Sequence, residues 1–204
     1  PNKMSSARGT TRQYWVAHRA MIVLTAALGI IYPLVITAAG LLAPSQATGS
    51  LVTVNGQTVG SSLIGQSFTD KNGNALPQWF QSRPSAAGTG YDGGASSGSN
   101  QGTESETLIK AIKDRKAAIA KSDGVNPASI PPDALTASAS GLDPQISPTY
   151  AREQIARVAA ARNLSVSTVT TLVNSFVQAP NLGYLGEPTV NVLELNIALS
   201  KLAG

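Results

Sequence analysis

The sequence predicts an α+β fold with one N-terminal transmembrane helix followed by a small extracytoplasmic domain, helix-rich in its second half. Three observations predict it. Residues 20–43 form one uncharged apolar run, and an excess of basic charge occurs only before that run. After it, short β-branched segments give way about halfway along to apolar residues at helical spacing. The expected divisions are a basic cytoplasmic tail at 1–19, a transmembrane helix at 20–43 and an extracytoplasmic domain at 44–204. Residues 1–3 precede Met4 and stand outside the fold argument.

The apolar run, from Ala20 to Ala43, is 24 residues long. As a helix it spans roughly 36 Å, enough for a hydrocarbon core of about 30 Å with some tilt. Thr25 and Thr37 can bond back to their own helix, Pro33 predicts a kink, and Gly29 and Gly40 would let another helix approach. Lys3, Arg8, Arg12 and Arg19 precede the run, and the next basic residue is Lys71. The positive-inside rule then puts the N-terminus in the cytoplasm and the domain outside. Tyr14 and Trp15, with His18 beside them, stand where an interfacial aromatic pair belongs. Ser45-Gln46-Ala47 resembles a signal cleavage site, but the apolar run exceeds the roughly 7–15 residues of a signal peptide's apolar segment, which favours a retained anchor.

Leu51–Val54 and Ser62–Ile64 predict short strands, with Asn55-Gly56 as a tight turn. Leu76-Pro77-Gln78-Trp79-Phe80 offers aromatic bulk for the core. The Gly/Ser-rich stretch 85–103 reads either as a linker or as a loop ordered against a partner. Thr103 is the expected cap of a helix with Glu104 and Glu106 at its start, basic residues later and Gly124 at its end. Leu108, Ile112 and Ile119 lie near one stripe of it. Ser147-Pro148 opens the next helix, with Ile155, Val158 and Ala159 inward and Arg152, Arg157 and Arg162 facing elsewhere. Ser165 caps a further helix carrying Val166, Val169, Leu172, Val173, Phe176 and Val177, which Pro180 stops. A final helix is expected from about Asn191 to Leu202, with Val192, Leu195, Leu199 and Leu202 on one side.

Several functions are excluded or disfavoured by composition. The chain has no Cys and a single His, His18, which removes thiolate metal sites and leaves no His beyond the anchor for a catalytic triad. The net charge of +4 resides in residues 1–19; the remainder carries 11 basic and 11 acidic residues. A neutral domain lacks the basic face that nucleic-acid binding needs. Gly88-x-Gly90-x-x-Gly93 matches a dinucleotide pattern, but Arg83-Pro84 precedes it and poor helix formers follow. Asp133 and Asp143 flank a polar stretch, and the bland reading of such acids is a solvated surface.

Long motifs stand in a fixed order. Tyr32-Pro33-Leu34 lies in the span, followed by Gly60-Ser61-Ser62-Leu63-Ile64-Gly65-Gln66 and by Phe80-Gln81-Ser82-Arg83-Pro84-Ser85. Ser97-Gly98-Ser99-Asn100 comes next, then Pro132–Pro144 with its core Thr136-Ala137-Ser138-Ala139-Ser140-Gly141-Leu142-Asp143-Pro144. Leu185-Gly186-Glu187-Pro188-Thr189-Val190-Asn191-Val192-Leu193 completes the series. On these motifs the chain resembles the C chain of the bacterial high-affinity potassium-transporting ATPase, the KdpC family, over nearly its whole length after the basic tail. The loop near Gly88–Gly94 departs from the family's run.

The resemblance implies a non-catalytic accessory subunit in a bacterial inner membrane complex that hydrolyses ATP and imports K⁺. Its partners would be a P-type ATPase chain, a channel-like potassium-binding chain, a small single-helix subunit and the lipid bilayer. No cofactor is intrinsic to it. ATP belongs to the complex, and the family has been proposed to raise the pump's ATP affinity as a catalytic chaperone. Candidate partner-contact residues are Gln81, Ser82, Arg83 and Pro84; Ser138, Ser140, Gly141, Asp143 and Pro144; and Gly186, Glu187 and Pro188. Each block also reads as turn and helix-start chemistry. The reading that sets the resemblance aside is a membrane-anchored envelope binding protein unrelated to a pump.

Overall fold

The computed structural model describes residues 7–202, with side chains from residue 10 onward. Lys3, Met4, Gly204 and the Arg8 side chain lie outside that description. The chain divides into two compact units, Pro1–Ser50 and Leu51–Gly204.

In the first unit, α1 (Ala7–Ala26), a π-helical turn (Ala27–Ile31) and α2 (Tyr32–Gly40) run on without a break. The π turn stands directly before Pro33, whose missing N–H disturbs the regular bonding pattern. There the Tyr32 N–H reaches back five residues to the Ala27 carbonyl, so the turn widens. Thr37 Oγ1 donates to the Pro33 carbonyl at 2.8 Å. The helix long and apolar enough to cross a membrane is Thr10–Gly40, 31 residues. It therefore includes Arg12 and Arg19 and ends short of Ala43. Gly40 does not leave a free face: a Cβ there would stand 3.3 Å from Ala47 on the following turn, α3 (Pro44–Ala47). Gly29 has only Thr25 Cγ2 near it, at 3.9 Å.

The second unit begins with the hairpin β1 (Leu51–Val54) and β2 (Gln57–Ser61), antiparallel through Asn55-Gly56. Both turn residues have positive φ, 51° and 79°, the geometry that makes Asn-Gly a hairpin signal. Ser62–Ile64 is not a strand: the Ile64 N–H donates to the Ser61 carbonyl and the Leu63 N–H to Ser61 Oγ, closing a turn. Irregular chain then leads to α4 (Glu106–Asp123). Its N-cap is Ser105, two residues later than Thr103, so Glu104 lies outside the helix. Gly124 ends it at φ 69°.

A short α5 (Pro132–Leu135) and β3 (Gln145–Ile146) lead into α6 (Pro148–Glu153) and α7 (Ile155–Arg162), separated at Gln154. Ser147 caps α6, its Oγ accepting the Tyr150 N–H at 3.0 Å, with Pro148 in the first turn. Ser165 likewise caps α8 (Val166–Ser175), accepting from the Thr168 N–H at 3.0 Å. α8 stops before Val177, which enters β4 (Val177–Gln178). β5 (Thr189–Asn191) lies between β3 and β4, antiparallel to both. It runs straight into α9 (Val192–Leu202), whose Glu194 N–H is accepted by Asn191 Oδ1 at 3.2 Å.

The core gathers Phe80, Ile146, Tyr150, Ile155, Val158, Val169, Val173, Val190, Leu195 and Leu199. Ile112 and Ile119 pack against it from α4. Val166 and Leu202 of the expected stripes are exposed. Two of the arginines expected to face away turn toward the loop before Phe80. Arg157 reaches the Pro77 and Trp79 carbonyls, at 2.7 and 3.0 Å. Arg162 donates to the Gln78 carbonyl at 2.7 Å and lies 4.2 Å above the Trp79 ring. The apolar stripe leaves these positions at its edge, where long guanidinium arms reach carbonyls that no regular structure satisfies.

Candidate functional site

The segment Phe80–Ser85 crosses the domain as extended chain without belonging to a sheet. Its backbone groups need partners, and two buried amides supply them. Asn196 of α9 donates Nδ2 to the Phe80 carbonyl and accepts the Phe80 N–H at Oδ1, both at 2.9 Å. Gln154 does the same for Gln81, accepting its N–H at 2.6 Å and donating to its carbonyl at 3.2 Å. Both amide side chains thus replace a missing neighbouring strand. Gln81 extends the network, its Nε2 reaching the Phe68, Leu76 and Trp79 carbonyls at 3.0–3.2 Å.

Beyond Gln81 the segment meets the residue 136–144 turn. Arg83 Nη1 pairs with Asp143 Oδ2 at 3.2 Å, and Nη2 reaches the Thr136 carbonyl at 3.4 Å. The Arg83 Nε is buried and finds no hydrogen-bond partner among the described residues. Ser82 Oγ donates to the Gln66 carbonyl at 2.9 Å, and Ser85 Oγ to the Gly141 carbonyl at 2.6 Å. Tyr91 Oη donates to the Arg83 carbonyl at 2.6 Å. Burial pushes that phenol up to about 12, so it remains a donor.

The facing turn is built the same way. Ser138 Oγ accepts the Gly141 N–H, Ser140 Oγ the Leu142 N–H, and Asp143 Oδ1 the Gln145 N–H, at 2.9–3.1 Å. Gly141 has φ 68°, and a Cβ there would stand 2.6 Å from the Ser97 carbonyl oxygen and 2.7 Å from the Ala87 nitrogen. Only glycine fits such a position without strain. Pro144 directs the chain into β3, its carbonyl accepting the Val192 N–H at 3.0 Å.

Residues 85–97 of the Gly/Ser-rich stretch are bonded to the domain itself rather than forming a linker. The Ser97 N–H and Ser96 Oγ both donate to the Ser140 carbonyl at 2.9 Å, and Ala87 is fully buried. The glycine pattern at 88–93 does not make a phosphate cradle. Asp92 folds back beside Gly88 and accepts the Gly94 N–H at 2.9 Å, which puts a carboxylate where a phosphate would lie. No helix follows until Glu106. The two acids flanking the polar stretch are likewise occupied: Asp133 accepts the Ser147 N–H and hydroxyl, at 2.7 and 3.0 Å, while Asp143 holds Arg83.

The third block stands apart. Gly186, Glu187 and Pro188 are exposed and lead out of a tight hairpin into β5. Among the described residues they do not bond to the first two blocks, which the fold joins through Arg83–Asp143 and Ser85–Gly141. Gln154, Asn196 and Tyr91 were missed as members of the network. The available signal was a carboxamide on an apolar stripe, Gln154 in line with Ala151 and Val158, and Asn196 beside Leu195 and Leu199.

Comparison with known proteins agrees with these motifs. The family model described as "K+-transporting ATPase, c chain" matches residues 14–201. A potassium-transporting ATPase KdpC subunit of Kineococcus radiotolerans is 56% identical over 183 residues, covering 90% of each chain. One from Gemmatimonas aurantiaca is 52% identical over 191 residues, covering 91% of this chain and 92% of the relative. One from Streptomyces avermitilis is 42% identical over 217 residues, covering 97% of each. With the motif order, the family match over most of the chain and these full-length relatives in agreement, the chain belongs to the KdpC family, the C chain of the potassium-transporting ATPase.

Proposed function

We propose that this chain is a non-catalytic accessory subunit of a high-affinity ATP-driven potassium importer, required for the pump's assembly and stability. Its partners are a separate P-type ATPase chain, a channel-like potassium-binding chain and a small single-helix subunit in a bacterial inner membrane. Residues 1–19 face the cytoplasm, 20–43 cross the bilayer and 44–204 lie outside. The observation that carries the subunit reading is the family match over residues 14–201; the orientation rests on the charge asymmetry about the span, four basic residues before it and none after it until Lys71. The motif residues support a role by position rather than by chemistry. Gln81, Ser82, Arg83, Ser138, Ser140 and Asp143 are bonded to the domain's own backbone or to each other.

In this topology the large domain does not meet cytoplasmic ATP. Any effect on the ATPase chain's nucleotide affinity is a coupling free energy transmitted through the membrane chains, and ATP belongs to the complex. The test is a compartment-specific reporter fused after Gly204, combined with purification of the pump with and without this chain. Extracytoplasmic reporter activity, and a loss of intact, potassium-stimulated ATPase when the chain is omitted, are expected. A cytoplasmic reporter signal refutes the topology, and unchanged assembly and activity refute the subunit role.

A further inference from the structure

The hairpin before β5 presents an apolar knob that the domain itself does not cover. Asn181 and Leu185 exchange backbone hydrogen bonds, Asn181 N–H to Leu185 O at 3.0 Å and Leu185 N–H to Asn181 O at 2.9 Å. These close a loop of Leu182, Gly183 and Tyr184, tightened by a Gly183 N–H to Pro180 carbonyl bond at 2.9 Å. Leu182 is 81% exposed, Tyr184 74% and Leu185 51%. Leu182 also has φ 55°, a left-handed conformation that L-residues with a Cβ rarely adopt. Strain of this kind, in a hydrogen-bonded loop that offers two leucines and a tyrosine to solvent, marks a binding feature.

The charge pattern distinguishes the occupants. Glu187 is the sole charged residue between Arg162 and Glu194. A loop that rests on anionic lipid carries Lys or Arg beside its apolar residues. This one carries only an acid. Apolar and aromatic anchors in a preorganised loop, with one charge at the rim, have the composition of a protein–protein anchor.

We infer that the Leu182–Leu185 hairpin is the anchor by which this domain docks onto a sister chain of the pump, in an apolar socket with a Lys or Arg at its rim facing Glu187. The inference rests on the subunit reading above. It names the contact surface that reading leaves open.

The chain has no cysteine, so a single introduced thiol reports on one position. Full-length Leu182→Cys and Tyr184→Cys, with Lys113→Cys on the exposed face of α4 as control, are labelled with a membrane-impermeant maleimide. Three states are compared: the chain alone in detergent, the chain alone in nanodiscs containing anionic lipid, and the assembled pump. Equal labelling in the first two states and slowing by an order of magnitude in the third, with Lys113→Cys unchanged, is expected. Failure of both hairpin variants alone to assemble, with Lys113→Cys assembling, supports the same conclusion. Slowing already in nanodiscs assigns the knob to lipid, and concentration-dependent slowing in detergent assigns it to a second copy. Either overturns the inference, as does unhindered labelling in the pump. If the unmodified chain does not co-purify with pump subunits, the subunit reading itself fails and the inference with it.

Discussion

Asn196 holds a single residue, Phe80, from the far end of the sequence. It is 2% exposed and Phe80 is 0% exposed, so neither partner has water as an alternative. Replacing Asn196 by Leu keeps the branched shape but leaves the Phe80 N–H and carbonyl unpaired in the core. Each unsatisfied buried group costs about 1–3 kcal/mol. Asn196→Leu is therefore expected to destabilise the domain by roughly 2–6 kcal/mol. Thermal unfolding of the detergent-solubilised chain, followed by circular dichroism, measures it. An unchanged midpoint would show that the Phe80 groups find other partners.

At the scale of elements, α4 docks on α7 through a buried ion pair. Arg157 Nε and Asp123 Oδ1 are 2.9 Å apart, with side chains 6% and 4% exposed. Asp123 sits in the last turn of α4, where the helix dipole disfavours a carboxylate, so Arg157 offsets a charge in an unfavourable place. Arg157 Nη2 also donates to Gln154 Oε1 at 2.7 Å, which ties this pair to the Gln81 clamp. Arg157→Leu leaves Asp123 buried and unpaired and is expected to cost about 3–5 kcal/mol. Adding Asp123→Leu is expected to recover part of that loss. A double-mutant cycle on unfolding free energies reads the coupling, and additive single effects would contradict it.

At the scale of the whole molecule, stability depends on pH through Glu153. Its Oε1 is buried and finds no hydrogen-bond partner among the described residues. Desolvation, then Asp123 and Asp133, raise its pKa above the ordinary 4.5. The folded chain thus binds more protons than the unfolded chain between 4.5 and the raised value. Stability from this group is complete below 4.5 and is lost as pH rises through the folded pKa. Glu153→Gln is expected to raise the unfolding temperature at pH 7, with the gain shrinking as pH falls through the raised folded pKa and vanishing below 4.5. A gain that does not vary with pH would rule out this origin.

The apolar helix, the Asn-Gly hairpin, the Ser147 and Ser165 caps and the Gly124 stop were legible because each depends on residues within a few positions of one another. The inward stripe of Ile155, Val158 and Ala159 follows from helical period alone. The strands at Val177–Gln178 and Thr189–Asn191 were not legible, since two or three residues carry no period and pair only across long separations. Candidate residues were identified block by block, but their division was decided by tertiary contact. Arg83 meets Asp143 and Ser85 meets Gly141 across more than fifty residues, whereas Gly186–Pro188 stays exposed. The apolar N-terminal helix, the longer helices of the domain and the family are readable in the sequence alone, because local sterics, hydrophobic period and motif order are written along the chain. Which polar groups satisfy one another, and which apolar side chains stay uncovered, follows from the packed fold, because desolvation acts on neighbours in space.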